Sequence, residues 1–211
     1  MDQVKNQTLD KTIVDAREHT LYCGVTMTGK TTLARHHARI LARAKYDVVV
    51  YDPVRTGTAG GDWPETATLI SDPETLDKFL ERAKGTDKHP LFLFVDESAD
   101  IFSHGQTQNH WIPRRIRHEH IYLRMIAQRP KMLHPDVRSQ CSYAYVLRLA
   151  ADDRKMVLAD FGHDPSAGNS ETLDKGDCML LTSGSSEIEE FNVFELVNSK
   201  RQSPSTSKEA S

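Results

Sequence analysis

Apolar residues along this chain arrive in short blocks, and the blocks alternate between two spacings. Residues 19–24, HTLYCG, form a compact β-rich run that stops at a glycine. Beyond it Leu33, His37, Ile40, Leu41 and Ala44 recur at steps of three and four, the spacing of one helical face. Residues 46–51, YDVVVY, are a continuous β-branched and aromatic run ending at Asp52-Pro53, as expected of a strand buried on both faces. Asp72 and Pro73 read as an N-cap and first helical residue, with Leu76, Phe79, Leu80 and Ala83 as the buried stripe and Gly85 as the stop. Residues 91–95, LFLFV, are the most apolar strand; 120–127 and 142–149 are two further strands. His134-Pro135-Asp136 starts a helix, and another spans 152–161 up to Gly162. Residues 176–182 and 187–196 complete the sheet as a hairpin. Strands alternating with helices predict an α/β fold, a doubly wound and mainly parallel sheet in a single domain.

The flanks lack this patterning. Residues 1–17 are polar and read as a flexible lead-in or short helix, residues 18–198 as the domain. Residues 199–211, SKRQSPSTSKEAS, hold no large apolar side chain and are expected to be disordered. Residues 56–61 are a glycine-rich loop.

Composition narrows the class further. A chain of 211 residues with 38% hydrophobic content is long enough to bury a sizeable core. A net charge of −3 excludes a static coat on nucleic acid, but not a grip through a few loops, where only local charge counts. Cys23, Cys141 and Cys178 are odd in number and lack metal-ligand spacing, which points to a reduced cytoplasm rather than a disulfide framework. No apolar run has the length of a membrane span, and charges run through the first twenty residues, so a soluble protein without a cleaved signal is expected.

The chemistry begins at residues 24–32, GVTMTGKTT, which fit the phosphate-loop pattern G-x-x-x-x-G-K-[ST] at Gly24, Gly29, Lys30 and Thr31. A strand before it and a helix after it are what the motif needs. Backbone N–H groups of Gly24, Val25, Thr26, Met27, Thr28, Gly29, Lys30, Thr31 and Thr32 are the candidate phosphate cradle, backed by the positive end of the helix. Lys30 would neutralise the β- and γ-phosphate oxygens, and the Thr31 hydroxyl would ligate Mg²⁺.

The run LFLFVDES carries the second half of such a site. A buried strand ending in acids places Asp96 beside the loop to hold Mg²⁺ through water, and Glu97 to polarise an attacking water. No N-K-x-D-like segment for guanine is present, which favours ATP. Residues 111–131, WIPRRIRHEHIYLRMIAQRPK, set six cationic side chains against one acid, Glu119. A solvated cationic face is the ordinary reading of such a run. Yet its arginines flank the strand-like residues 121–127, which end at Gln128, and an amide there can sense the γ-phosphate or orient water.

Taken together, the phosphate loop, the VDE strand end, R-x-R-H before the next strand and A-Q-R-P after it resemble the FtsK/HerA superfamily of ring-forming, DNA-pumping ATPases. Within it the similarity is greatest to the genome-packaging ATPases of tailless, membrane-containing double-stranded DNA viruses, over about residues 20–162. That resemblance implies a RecA-like P-loop NTPase that works on double-stranded DNA as a homohexameric ring. Capsid or packaging-vertex proteins would be its partners, and it would sit in the host cytoplasm or be incorporated in the virion. It also implies that Arg117, eleven residues before Gln128, is an arginine finger reaching a neighbouring subunit's ATP. Arg114 and Arg115 are the alternatives for that role, and Arg129 has a place at DNA or at the subunit boundary. Lys30, Glu97, Gln128 and Arg117 are thus the candidate catalytic residues, and Thr31 with Asp96 the candidate metal ligands.

Other readings remain open on sequence alone. A small P-loop kinase would use the arginines as a lid, and an ATP-switched assembly or export factor would need no fast turnover. The histidine pairs His36–His37 and His118–His120, the latter at alternating strand positions, lack convincing zinc geometry. Trp63 and Trp111 are expected at packing or interface positions.

Overall fold

A computed structural model describes residues 16–54, 63–106, 109, 111–166 and 173–199. The expected lead-in before Ala16, the loop 56–61 and the tail beyond Ser199 lie outside these residues.

Eight strands form one sheet: β1 (His19–Cys23), β2 (Asp47–Tyr51), β3 (Thr68–Ile70), β4 (Leu91–Val95), β5 (Ile121–Ala127), β6 (Cys141–Val146), β7 (Asp177–Thr182) and β8 (Ile188–Asn192). Their spatial order is β3-β2-β4-β5-β1-β6-β7-β8. The six from β3 to β6 are parallel, while β7 and β8 add an antiparallel hairpin at the edge. The helices are α1 (Lys30–Arg43), α2 (Pro73–Arg82), α3 (Ala99–Phe102), α4 (Ile112–His118), α5 (Pro135–Arg138), α6 (Ala151–Asp160) and α7 (Val193–Ser199).

The period of two along each strand divides the core. Leu21, Val49, Leu93, Leu123 and Val146 point to one face, covered by α2, α4 and α6. Tyr22, Val50, Phe94, Ile126 and Tyr145 point to the other, covered by α1 and α7. Burial on both faces is why these strands read as unbroken apolar runs. Asp72 does cap α2, accepting a bond from the Thr75 N–H at 2.8 Å, with Pro73 in the first turn.

Three local expectations need correction. The buried stripe of α1 is Leu33, Ala34, His37, Ala38 and Leu41, with Ala44 exposed just past the helix. Residues 112–118 are helical, because Pro113 suits a first turn and Ile112 and Ile116 bury one face. His118 and His120 therefore do not share a strand: His118 ends α4, and His120 turns the chain with φ 54°. The last strand stops at Asn192, whose Oδ1 accepts from the N–H groups of Phe194 and Glu195 and so opens α7. The short edge strand β3, of whose residues only Ile70 is buried, had no pattern to announce it. Trp63 is a packing residue against Phe94, while Trp111 is half exposed.

Among the six cations of the 111–131 segment, Arg124 is not a surface charge at all. It lies 1% exposed in the centre of β5, on the face of Phe92, whose ring its guanidinium covers at 5.0 Å. It donates to the Ala16 carbonyl and the Thr20 hydroxyl, both at 2.8 Å, and to the Glu18 carbonyl. With no carboxylate partner among the described residues, the buried guanidinium is compensated by these three oxygens and the Phe92 ring. Arg124 thereby stitches residues 16–18 to the sheet. Arg124→Met is expected to lower unfolding free energy in urea by on the order of 3 kcal/mol, since three buried acceptors lose their donor. An unchanged midpoint would show that the segment is held by something else.

Candidate active site

The loop between β1 and α1 is pinned at the C-terminal edge of the sheet. The Gly24 N–H donates to the Ala127 carbonyl at 3.3 Å and the Val25 N–H to the Arg148 carbonyl at 2.8 Å, from the ends of β5 and β6. A Cβ on Gly24 would stand 2.9 Å from both the Leu147 Cβ and the Thr28 hydroxyl, so any other residue pushes the loop off its seat. Gly29 takes φ 113°, the region open to glycine, as the chain enters α1. Inside the loop the Thr28 hydroxyl donates to the Val25 carbonyl at 2.8 Å and the Lys30 ammonium to the same oxygen at 3.0 Å. Burial pulls the Lys30 pKa down, and the carboxylates of Glu97 and Asp96 oppose that shift. Thr31 and Thr32 occupy the first turn of α1, where free N–H groups favour an anion.

Strand β4 delivers the acids to the same edge. The Asp96 N–H is held by the Tyr51 carbonyl at 2.9 Å. The chain then turns sharply, with Glu97 at φ 49°, its N–H on the Asp96 carboxylate at 3.0 Å, and the Ser98 hydroxyl on the Ile126 carbonyl at 2.7 Å. The turn carries the Glu97 side chain across to β5, where Gln128 Nε2 donates to Glu97 Oε1 at 2.5 Å. Gln128 Oε1 accepts from the Thr26 hydroxyl at 2.9 Å. A chain of three side chains, Thr26–Gln128–Glu97, thus joins the loop to the acid.

Burial raises the Asp96 pKa to about 6; the Glu97 N–H bond opposes the rise, while the charges of Asp52 and Glu97 add to it. Asp52, at the end of β2, is a third carboxylate at this edge and accepts from the Trp63 indole at 3.4 Å. Sequence reasoning took it only as a strand end, although an acid closing an apolar strand is the signal that identified Asp96. No cluster of three or more His, Cys, Asp or Glu arranged for a metal is present among the described residues, the histidine pairs included.

Arg117 stands elsewhere. Its guanidinium binds the Glu18 carboxylate at 2.7 Å, just before β1 begins, at the edge of the sheet opposite the loop. The other Glu18 oxygen accepts from the Ser142 hydroxyl at 3.0 Å. Helix α4 is fixed there by His19, whose Nε2 donates to the Pro113 carbonyl at 2.6 Å while its Nδ1 accepts from the Leu123 N–H at 2.9 Å. Burial lowers the His19 pKa to about 4, which keeps that ring neutral. Five residues of strand at about 3.3 Å each separate Arg117 from its own loop, so it cannot serve that loop. Arg114 and Arg115 are exposed on α4, Arg115 lying over the Trp111 ring at 5.1 Å. Arg129 pairs with the buried Asp153 at 3.6 Å.

A glycine-rich loop after β1, an acid pair after β4 and an amide at the end of the strand inserted between them match a P-loop NTPase fold. Comparison with solved structures agrees. The DNA-packaging ATPase B204 of Sulfolobus turreted icosahedral virus superposes with TM-score 0.70 at 18% identity, over 83% of this chain and 97% of that one. B204 of Sulfolobus turreted icosahedral virus 2, in complex with ATP-gammaS, gives TM-score 0.64 at 18% identity over 83% and 96%. The pCW3 conjugation coupling protein TcpA, with ATPgS, gives 0.65 at 13% identity over 87% and 65%. No family model and no curated protein matches the chain.

The raised Asp96 pKa has a measurable consequence for the metal-free protein. Folded Asp96 titrates near 6 and the free carboxyl at 3.8, so between those values the folded state binds more protons than the unfolded. Stability from this group therefore falls as pH rises through that window. Between about pH 4 and pH 7 the wild type should lose on the order of 2 kcal/mol more unfolding free energy than Asp96→Asn. Equal changes in the two proteins would contradict the shift.

Proposed function

We propose that the protein is an ATP-hydrolysing DNA translocase, the motor that packages a viral double-stranded DNA genome into a preformed capsid. The observation that carries the hydrolytic part is the Glu97–Gln128–Thr26 chain, which sets a carboxylate and an amide over the mouth of the phosphate loop. Glu97 is turned to Gln128, which leaves Asp96 and Thr31 as the proposed metal ligands and Glu97 as the group that takes a proton from water. The nucleotide complexes of the structural neighbours, with AMPPCP and ATP-gammaS, support ATP as the ligand.

Magnesium fits the donors present. The Thr31 hydroxyl and the Asp96 carboxylate are hard oxygens of the kind that ion takes, and a divalent cation would offset both the burial that chiefly raises the Asp96 pKa and the lesser repulsion from Asp52 and Glu97. Held by these two residues, the ion would supply positive charge to offset that of the phosphates. Lys30 leaves the Val25 carbonyl for the phosphates, Glu97 orients and deprotonates water, and Gln128 reports the γ-phosphate to it.

Arg117 points to self-association. On the edge away from its own loop it would exchange its half-exposed Glu18 partner for a neighbour's nucleotide, and an arginine supplied in trans is worth about 10³–10⁵ in rate. A ring, hexameric in the superfamily the sequence resembles, places every loop beside such an arginine and leaves a central channel for DNA. Capsid or vertex proteins complete the assembly. No helix among the described residues is long and apolar enough to cross a membrane.

ATP turnover measured with and without double-stranded DNA, over a range of protein concentrations, tests this reading. Specific activity should rise with both. A rate indifferent to both, or phosphate transfer to a small acceptor, would move the assignment to a kinase or an ATP-switched assembly factor.

A further inference from the structure

We infer that Phe194 and Lys175 form the nucleobase subsite, a stacking platform for the purine of the bound nucleoside triphosphate; this rests on the nucleotide reading above. Orientation comes first. Glu97 and Gln128 sit on the β4–β5 side of the loop, so the γ-phosphate end of a nucleotide faces them. The base must then lie toward the other flank, over β6 and β7. On that flank the Gly176 N–H donates to the Thr28 carbonyl at 3.1 Å, joining the rim of the loop directly to the start of β7.

An aromatic ring waits there. Phe194, half-buried in the first turn of α7, lies 3.5 Å from the position of a Cβ on Gly29 and 2.5 Å from that of a Cβ on Gly176. Two glycines thus let the ring pack closely against the loop and the strand, with its tip toward Gly29 and its edge on Gly176, and at Gly176, with φ 97°, no other residue is accommodated. The backbone that carries the ring is fixed by three hydrogen bonds. Asn192 Oδ1 accepts from the Phe194 N–H at 3.0 Å, Asn192 Nδ2 donates to Asp177 at 2.9 Å, and the Val193 N–H donates to the Gly176 carbonyl at 2.8 Å. The ammonium of Lys175, an exposed side chain, stands 5.8 Å from the ring centroid. That is a loose cation–π contact, readily exchanged for a base. Once displaced, the ammonium is free to follow the polar edge of the base or the nearest phosphate. Val193, Leu196 and Val197 supply the buried apolar face of α7, and Phe194 stands outside that core.

The test compares ATP with inorganic tripolyphosphate, which carries the phosphates without a base, as ligands of the full chain. Phe194→Leu keeps the apolar packing and removes the π-face, and Phe194→Ala removes both. Phe194→Leu should weaken ATP binding about five- to a hundredfold, the range for loss of a base–aromatic stack, and leave tripolyphosphate affinity within about twofold. Equal weakening of both ligands would mean that Phe194 only props up the loop, and unchanged ATP binding would mean that the base lies elsewhere; either overturns the subsite. A wild-type chain that binds neither ligand would overturn the nucleotide reading itself, and the subsite with it.

Discussion

Strand β5 hydrogen-bonds to β1 on one side and to β4 on the other, and the working parts of the molecule take their places from that double pairing. Its register sets Ala127 beside Cys23 and Met125 beside Val95. Gln128, one residue on, is therefore delivered between the phosphate loop that follows β1 and the acids that follow β4. A parallel sheet fixes this kind of placement well, because strands buried on both faces cannot slip by a residue without turning every side chain to the wrong layer. The 2.5 Å contact between Gln128 and Glu97 is then a consequence of topology, not of a flexible loop finding its partner.

The same strand organises the opposite edge. Arg124 binds the carbonyls of residues 16 and 18 from inside the core, and Glu18, held by its backbone, turns its carboxylate to Arg117 and Ser142. A cation in the sheet thus locates a second cation on the surface. One edge carries the residues proposed to bind and cleave a triphosphate; the other carries Arg117, paired with Glu18 a strand's length from its own loop. In the proposed ring, each edge completes what the other lacks.

Much of this was legible in the residues. The phosphate loop and the acid-ended β4 stood out because each combines a special backbone need with an unbroken apolar strand. Gln128 was legible through the end of β5. Helix α4 was not: seven residues with only Ile112, Pro113 and Ile116 buried leave too short a period beneath the arginines. Arg124 was counted as surface charge, although its place between Tyr122 and Ile126, on one face of a buried strand, was the available clue. Asn192 as a helix cap was overlooked inside a run that also suits a strand. Arg148, whose carbonyl anchors the loop, and Phe194 had no local signal, since only the order of the sheet brings them to Val25 and Gly29.

The central claim is that hydrolysis takes place between subunits. It is tested most directly by mixing two proteins expected to be inactive, Lys30→Ala, altered in the loop, and Arg117→Ala, which lacks the proposed finger. If Arg117 acts on a neighbour's nucleotide, the mixture should recover DNA-stimulated ATP turnover that neither protein has alone, because some junctions then pair an intact loop with an intact arginine. A mixture as inactive as its components, or an Arg117→Ala protein with full activity by itself, would contradict it.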